Sequence, residues 1–542
     1  MKFKLSKKII GFLFVVMVFI SLSFQSKFFE VAKQIEIYNT LFKELNMYYV
    51  DEINPAEITT KAIKNTLKDL DPYTNFYNEQ EVEDAKINKE GEYSGIGVAV
   101  NFTDLGIEIN EIFKGFSADK AGLKVADLIT SIEGQSLKNM QKDQLSMLLK
   151  GVPNSSFNLE VVRQGNILKK EITRDKVVVN PVPFAEMIDH ETGYIVLTRF
   201  NDKASSEVQK AYLKLKKEGL KKLIFDLRSN PGGSLLESIN IANFFLPKGK
   251  TIVSTKAKVK QWSNTYTTKN QPLDLEIPIV VLVNEYSASA SEIVSGSLQD
   301  YDRAVIMGKR TFGKGLVQRF RELTYGTQLK VTISKYYTPS GRCIQELDYA
   351  NRDANGNVPK FSDHGVQKFT TENGRTVYDG GGILPDIMIE TSKKTAATET
   401  LLSSRAIFNF CTHYYYNNPT LQNANSYRFT ESDFKDFTNY LKTDTTFVTK
   451  QEALFKKAYL ASKNNNVTKE YNQIKEKLFE DKIAKISENI DIITPLITEG
   501  IIERYFYKEG LYANNLKNDA SLIEALALLK NQSKYKEILS VK

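Results

Sequence analysis

The chain has 542 residues, which is too long for a single hydrophobic core and predicts about three or four domains. Its hydrophobic content of 42% and charged content of 25% are typical of folded globular protein, and the small basic excess gives no reason to expect nucleic-acid binding. The two cysteines, Cys343 and Cys411, form no pair at metal-ligand spacing, so the sequence predicts no metal site and no cofactor.

The N-terminus has the pattern of an export segment. Four lysines precede an apolar run over residues 9–24, and no acidic residue interrupts it. A basic start followed by such a run is typical of a secretory signal peptide or a short N-terminal membrane anchor. We therefore predict that residues 1–26 direct export, to the periplasm or to the outer face of the cytoplasmic membrane.

Residues 27–88 are predicted to be a small helical region. Apolar residues recur there at helical spacing. The main helical pattern stops at Leu70-Asp71-Pro72-Tyr73, because proline cannot continue a helix.

Residues 89–176 change to short strands separated by glycine turns. Near the start of this region a glycine loop leads into a strand, and the loop consists of Gly95, Ile96, Gly97 and Val98. Successive backbone N–H groups in such a loop can bind the C-terminal carboxylate of a peptide, while the next strand pairs with that peptide. A plain β-turn would use the same glycines, so the loop alone does not decide the function.

Residues 177–395 alternate strands and helices, which predicts an α/β domain. The strand over residues 222–227 is followed by a turn containing Gly232 and Gly233 and then by a helix. Backbone N–H groups at a helix start can stabilise an oxyanion or bind phosphate. This turn is therefore a candidate binding element.

A second strand, turn and helix follow later in the same domain. The apolar run over residues 277–283 leads to a turn with three candidate serines, Ser287, Ser289 and Ser291. A serine there is either a nucleophile at a helix N-terminus or an ordinary helix cap, and spacing does not choose among the three. The two turns could face a single cleft.

Lys314 lies in a segment that nearly matches a phosphate-binding loop. Gly308 and Gly313-Lys314 have the required spacing, but Gly315 replaces the magnesium-binding hydroxyl residue and a strand pattern follows where a helix is needed. The alternative is a general base, which requires desolvation to lower the lysine pKa from about 10.4. No histidine lies near the serine turn in sequence, so nothing indicates a serine–histidine triad.

Taken together, these motifs closely resemble the C-terminal processing, or tail-specific, serine peptidases with a PDZ domain. The resemblance covers about residues 28–390, including the order of the parts. Its motifs are the serine turn with Glu292, Gln299-Asp300, Thr311 to Gly315 with Gln318, Asp226-Leu227-Arg228 with Asn230 to Gly233, Tyr337 to Arg342, and Ile383 to Asp386. The implied fold is a multidomain α/β chain with a helical N-terminal region, a PDZ domain (89–176) and a peptidase core (177–395). The resemblance does not cover residues 396–542, whose helical stretches predict a helical C-terminal extension.

The resemblance also implies residue roles. It makes Ser289 the nucleophile, Lys314 the general base and Gln318 the residue that orients the lysine. The backbone amides of Gly232 or Gly233 and of Ala290 become the oxyanion donors, and Asp300 either a supporting acid or a structural partner of Arg303. The glycine loop at residues 95–98 becomes the PDZ carboxylate loop.

The function that the resemblance implies is cleavage of exported proteins whose C-terminal tails dock on the PDZ domain. The implied partners are therefore protein or peptide substrates, and a homo-oligomer is compatible with the family. The alternative is a catalytically inactive PDZ scaffold or chaperone on the same fold.

Overall fold

The computed structural model describes residues 7–390, 392–462 and 468–540, with residues 7–27 described by their backbone alone. The chain forms two compact units, Met1–Phe76 and Tyr77–Lys542. The boundary between them falls inside the predicted helical region 27–88, so the last helix of that region belongs to the larger unit.

The smaller unit consists of helices, as predicted. They are α1 (Lys7–Tyr48) and α2 (Pro55–Lys68), and the short strand β1 (Asn75–Tyr77) follows at the boundary. Asn54 caps α2 by accepting hydrogen bonds from the N–H groups of Ala56 and Glu57, and Pro55 occupies the first helical position. The first six residues of the predicted export segment lie outside the described residues. Among the described residues, we find no helix with the length and apolar character needed to cross a membrane.

The PDZ-like region of the larger unit is a β-rich domain that also contains three helices. Its elements are α3 (Glu79–Glu90), β2 (Glu92–Gly95), β3 (Val98–Thr103), β4 (Gly106–Ile112), α4 (Ser117–Lys120), β5 (Leu128–Ile132), β6 (Gln135–Ser136), α5 (Lys142–Leu149), β7 (Ser156–Arg163), β8 (Asn166–Thr173) and β9 (Asp175–Val178). Its main sheet has the order β3-β4-β5-β7-β8, so β3 is an edge strand. An edge strand can pair with an added peptide.

The α/β region is built around a six-stranded sheet. Its strands and helices are β10 (Phe184–Met187), β11 (Thr192–Val196), α6 (Ala204–Lys217), β12 (Lys222–Asp226), α7 (Leu235–Asn243), β13 (Thr251–Ala257), β14 (Thr265–Thr267), β15 (Ile279–Val283), α8 (Ala290–Asp300), β16 (Val305–Gly308), β17 (Leu316–Glu322), β18 (Gln328–Tyr337), β19 (Lys368–Thr370), β20 (Thr376–Tyr378) and β21 (Ile387–Met388).

The order of that sheet is β10-β11-β12-β15-β16-β21, and all neighbours except β10 and β11 pair in parallel. Because the neighbouring strands β12 and β15 are parallel, the turns after them meet at the same edge. These are the glycine turn and the serine turn. A second sheet contains β13, β14, β17 and β18, and it carries the segment that follows Lys314.

The C-terminal region is helical, as predicted. Its helices are α9 (Ala396–Ser403), α10 (Ala406–Asn417), α11 (Glu431–Tyr440), α12 (Lys450–Ser462), α13 (Thr468–Ser487), α14 (Ile490–Asn518), α15 (Ala520–Lys530) and α16 (Gln532–Leu539). The last two pack on the six-stranded sheet, where the Tyr535 hydroxyl hydrogen-bonds both to the N–H and to the carbonyl of Ile279. Arg228 forms ion pairs with Asp226 and Asp519 at 2.6 Å, which ties the start of α15 to the edge of the sheet.

Candidate active site

The serine turn holds Ser289 in a strained backbone conformation directly before α8. Its φ of 57° and ψ of −111° are unusual for a residue with a side chain. The N–H of Ser289 donates to Glu292 Oε2 at 2.7 Å, and the hydroxyl of Tyr336 donates to the Ser289 carbonyl at 3.2 Å. Strain of this kind persists only where the surroundings fix it, and it is common at active sites.

The structure distinguishes the three candidate serines. Ser287 and Ser291 are fully buried, and their hydroxyls donate to the carbonyls of Leu227 at 2.8 Å and Asn230 at 2.9 Å. Ser289 is instead partly exposed at the tip of the turn. The hydroxyls of Ser287 and Ser291 therefore stabilise the turn from inside the protein. The sequence pattern could not have shown this difference.

The glycine turn lies directly against the serine turn. A Cβ atom added to Gly232 would lie 2.6 Å from the Ala288 carbonyl oxygen, 2.8 Å from the Ala290 nitrogen and 2.9 Å from Ser289 Cβ. The N–H of Ala288 also donates to the carbonyl of Asn230 at 3.0 Å. The two turns thus face one site, in agreement with the prediction.

The predicted oxyanion donors have different hydrogen-bonding states. The N–H of Gly232 donates to Asn230 Oδ1 at 2.9 Å, so this group is already engaged. In the described part of the chain, neither the N–H of Gly233 nor that of Ala290 donates to another protein group. The geometry leaves the N–H groups of Gly233 and Ala290 available as donors, whereas Gly232 supports the turn by close packing.

Glu292 connects the serine turn to the lysine loop. Its Oε2 accepts from the N–H of Ser289 at 2.7 Å and from the N–H of Lys314 at 3.0 Å. Because both nitrogens contact one oxygen, they lie within about 6 Å of each other. Its Oε1 accepts from the Thr311 hydroxyl at 2.6 Å and the Gly313 N–H at 2.7 Å. A single buried carboxyl group thus fixes the backbones of Ser289 and Lys314 together.

Sequence reasoning assigned no role to Glu292. The spacing of Ser289 and Glu292, S-x-x-E at a helix start, is the pattern of a capping box, and that signal could have predicted a contact between Glu292 and the Ser289 N–H. The bonds to Thr311, Gly313 and Lys314 could not have been found in this way, because they cross about twenty residues of chain and depend on the fold.

We expect the contribution of Glu292 to stability to depend on pH. Burial raises its pKa to about 7, despite the opposing hydrogen bonds from Thr311, Gly313, Lys314 and Ser289. Because the pKa is 4.5 when unperturbed, the folded state favours the protonated form. This contribution is therefore fully present below about pH 4.5 and is lost as pH rises through about 7.

The measurement is urea unfolding of the wild type and of Glu292→Gln, which does not titrate at this position. The unfolding free energy of the wild type minus that of Glu292→Gln should decrease from about pH 5 to about pH 8. A difference that stays constant over this range would contradict the perturbed pKa.

Gln318 and Asp300 lie in different surroundings. Gln318 is on β17, four residues after Lys314, and its Nε2 donates to Thr332 Oγ1 at 3.2 Å. Asp300 ends α8, about 15 Å along the helix axis from Ser289. Its carboxylate accepts from Arg342 at 2.7 Å and from the Ser340 N–H at 2.9 Å, with both members of the ion pair buried. These contacts favour a structural role for Asp300, with Arg342 as its partner.

The predicted carboxylate loop joins β2 to the edge strand β3. Gly97 has a φ of 78°, and a Cβ atom there would lie 2.4 Å from Phe116 Cβ. Ile96 is buried in the core of the domain. Burial raises the pKa of Tyr93 to about 12, so this hydroxyl stays neutral at physiological pH.

Three segments of the chain match models of protein families. Residues 84–162 match "PDZ domain", residues 191–350 match "Peptidase family S41", and residues 397–529 match "Probable PDZ-protease, C-terminal helical domain". The S41 match lies within the α/β region. The predicted family and fold class are thereby confirmed. The S41 domain contains the glycine turn, the serine turn and Lys314.

Curated relatives and a solved structure are similar to this chain. A "Probable CtpA-like serine protease" of Staphylococcus aureus (strain MRSA252) is 35% identical over 309 residues, which are 56% of this chain and 61% of the relative. The protein of the same description from Staphylococcus saprophyticus is 34% identical over 320 residues, 58% of this chain and 63% of the relative. The solved "photosystem II D1 C-terminal processing protease" has 26% identity and a TM-score of 0.37, over 64% of this chain and 91% of that one. The chain thus spans less than two thirds of the length of these curated relatives.

Proposed function

We propose that this chain is a serine endopeptidase of the C-terminal processing type, which uses Ser289 as nucleophile and Lys314 as general base. The observation that carries the proposal is Glu292, whose single carboxyl group holds the backbones of both residues. Ser289 is also the accessible serine of its turn, whereas Ser287 and Ser291 are buried and hydrogen-bonded.

In the first step, neutral Lys314 Nζ removes the proton from Ser289 Oγ as this oxygen attacks the scissile carbonyl. The resulting oxyanion accepts hydrogen bonds from the N–H groups of Gly233 and Ala290. Collapse of the tetrahedral intermediate breaks the peptide bond, and Lys314 returns its proton to the leaving amine. A water molecule deprotonated by Lys314 then attacks the acyl-enzyme and releases the second product.

Gln318 positions the lysine in this mechanism. Its Nε2 is committed to Thr332, which leaves its carbonyl oxygen to accept a hydrogen bond from the amine. Lys314, which is partly buried between two glycines, must lose its charge to act as a base.

Substrate selection is proposed to begin on the PDZ domain. The C-terminal carboxylate of a protein would bind the loop at residues 95–98, and the tail would extend the sheet at β3. The free edge of β3 supports this role. We further propose that the enzyme acts outside the cytoplasm, because its N-terminus has the basic and apolar pattern of an export segment.

The test is cleavage of a disordered protein, followed on gels. Ser289→Ala should show no cleavage above buffer, because the attacking oxygen is absent. Ser291→Ala is the matched control: it removes one buried hydrogen bond, costs about 1 kcal/mol of stability and should retain cleavage. Normal proteolysis by folded Ser289→Ala would refute the assignment and favour another nucleophile. Absence of cleavage by the wild type would favour the peptide-binding scaffold.

A further inference from the structure

A large chamber connects the PDZ groove with the glycine turn of the S41 domain. Its volume is about 1730 Å³, and its lining includes the carboxylate loop, the edge strand β3 and the end of α5. The same chamber is lined by Ser229 and Pro231, immediately before Gly232. A peptide bound to the PDZ domain could therefore extend through this space toward the site that contains Ser289.

Helix α14 of the C-terminal region forms the opposite wall of the chamber. It is fixed to the PDZ domain by the ion pair between Lys508 and Glu111, at 2.9 Å, and by the hydrogen bond from Tyr507 to Asp119. The backbone of Tyr507, with φ 58° and ψ −166°, interrupts the helix at this contact. Glu111 pairs in register with Ala99 of β3, so the contact lies beside the edge strand.

Four acidic residues of α14 line the chamber: Asp491, Glu499, Glu503 and Glu509. Glu499 and Glu503 are the two middle ones. They are four residues apart and therefore adjacent on one face of the helix. Of the nearby cations, Lys508 pairs with Glu111, Arg228 pairs with Asp226 and Asp519, and Arg504 donates to the carbonyls of Gly500 and Phe408 and to the Thr412 hydroxyl. In the described part of the chain, neither glutamate has a hydrogen-bonded or ion-pair partner. This pair of glutamates thus offers acceptors for a cation.

The surroundings of these groups disfavour their charge when the chamber is empty. Desolvation by the surrounding protein raises the pKa of Glu499, whose side chain stays exposed to the chamber, and raises that of the half-buried Glu503 to about 7, with further repulsion from Glu499 and Glu111. Lys508 and Arg504 partly oppose the shift at Glu503. A cationic side chain of a ligand would reverse the effect, because an opposite charge stabilises a carboxylate.

We propose that α14 is the second wall of the tail-binding groove and that Glu499 and Glu503 select substrate tails carrying lysine or arginine upstream of the C-terminal residue. This inference rests on the proposed docking of tails to the PDZ loop. The PDZ domain would bind the carboxylate and the backbone of the tail, while α14 would bind one side chain of the tail. The C-terminal region would then contribute directly to substrate selection.

The test measures peptide binding by fluorescence anisotropy to the full chain carrying Ser289→Ala, which prevents cleavage during the measurement. Lysine is placed in turn at each of the four positions before the C-terminal residue of a labelled peptide, and norleucine at the same positions provides neutral partners of similar length. We expect about tenfold tighter binding for lysine at one position or more. The gain should vanish in Glu499→Gln/Glu503→Gln and persist in Glu524→Gln, an exposed control outside the chamber lining.

Equal affinities for lysine and norleucine at every position would overturn the inference, and so would a gain that persists in the double variant. The comparison of lysine with norleucine peptides uses only the Ser289→Ala chain, so it does not depend on how the double variant folds. An amidated norleucine peptide separates the two levels of the proposal. If the amidated peptide binds more weakly than the same peptide with a free C-terminus, and lysine gives no gain in affinity, then docking of the tail to the PDZ loop is supported and the role of α14 is refuted. If no peptide binds, both are refuted.

Discussion

Replacing Lys314 with arginine should abolish cleavage while leaving the fold intact. Arginine keeps the positive charge and much of the side-chain length, but it does not lose its proton in proteins and cannot serve as a base. The contact from the Lys314 backbone to Glu292 does not involve the side chain and should remain. We expect the rate constant kcat to fall by at least roughly 10³-fold at all pH values tested.

Lys309→Arg is the matched control for this experiment. Lys309 lies five residues before Lys314, is partly exposed, and pairs with Glu285 at 3.4 Å. Because an exposed ion pair contributes little, this variant should retain cleavage within about twofold of the wild type. Circular dichroism and the thermal unfolding midpoint establish that both variants fold. A Lys314→Arg enzyme that kept more than a tenth of the activity would remove the lysine from the role of base.

The second large effect is expected from Gly232→Ala. The added methyl group would collide with the serine turn, since three atoms of residues 288–290 lie within 2.9 Å of its position. The two turns can accommodate this methyl group only by moving apart. The N–H groups of Gly233 and Ala290 would then no longer both reach the oxyanion. Loss of one oxyanion donor typically lowers kcat by roughly 10²- to 10³-fold, and we expect a loss of this size.

Gly249→Ala separates this collision from backbone strain. The φ angles of the two glycines are almost equal, 93° for Gly232 and 89° for Gly249, but a Cβ atom at Gly249 would meet no atom within 4 Å. Both variants should therefore lose about 1 to 2 kcal/mol of stability from strain, and Gly232→Ala alone should lose activity. Equal kcat values for the two variants would contradict the proposed contact between the turns.

Most of the architecture could be predicted from local patterns. The apolar β-branched run at residues 277–283 indicated a buried strand, and β15 occupies its larger part. The glycine and serine turns could be predicted to meet because both follow strands of an α/β domain, and parallel neighbours end at one edge. The helical character of residues 396–542 could also be predicted from the helical spacing of their apolar residues.

The details of the site depend on contacts that no local pattern encodes. Three serines alternate in one turn, and only the fold turns Ser287 and Ser291 inward toward the carbonyls of Leu227 and Asn230. The engagement of the Gly232 N–H by Asn230 follows from the shape of the turn. Asp300 has the right chemistry for a catalytic acid, but α8 carries it away from Ser289 and Arg342 neutralises it.

The contact between α14 and the PDZ domain could not be predicted from the sequence. Glu111 and Lys508 are separated by nearly four hundred residues, and each is an ordinary surface charge in its own segment. Only the packing of the C-terminal helices against the PDZ domain brings them together beside β3. The same packing places Glu499 and Glu503 on the chamber wall.

The most direct measurement of the central claim is mass spectrometry of the enzyme quenched with acid during turnover of a disordered substrate. The serine–lysine mechanism predicts an acyl adduct on the proteolytic fragment that contains Ser289, with the mass of an N-terminal substrate piece. The adduct should be absent from Ser289→Ala and present in Ser291→Ala. An adduct on a different residue, or on the same fragment in Ser289→Ala, would contradict the assignment of Ser289 as the nucleophile.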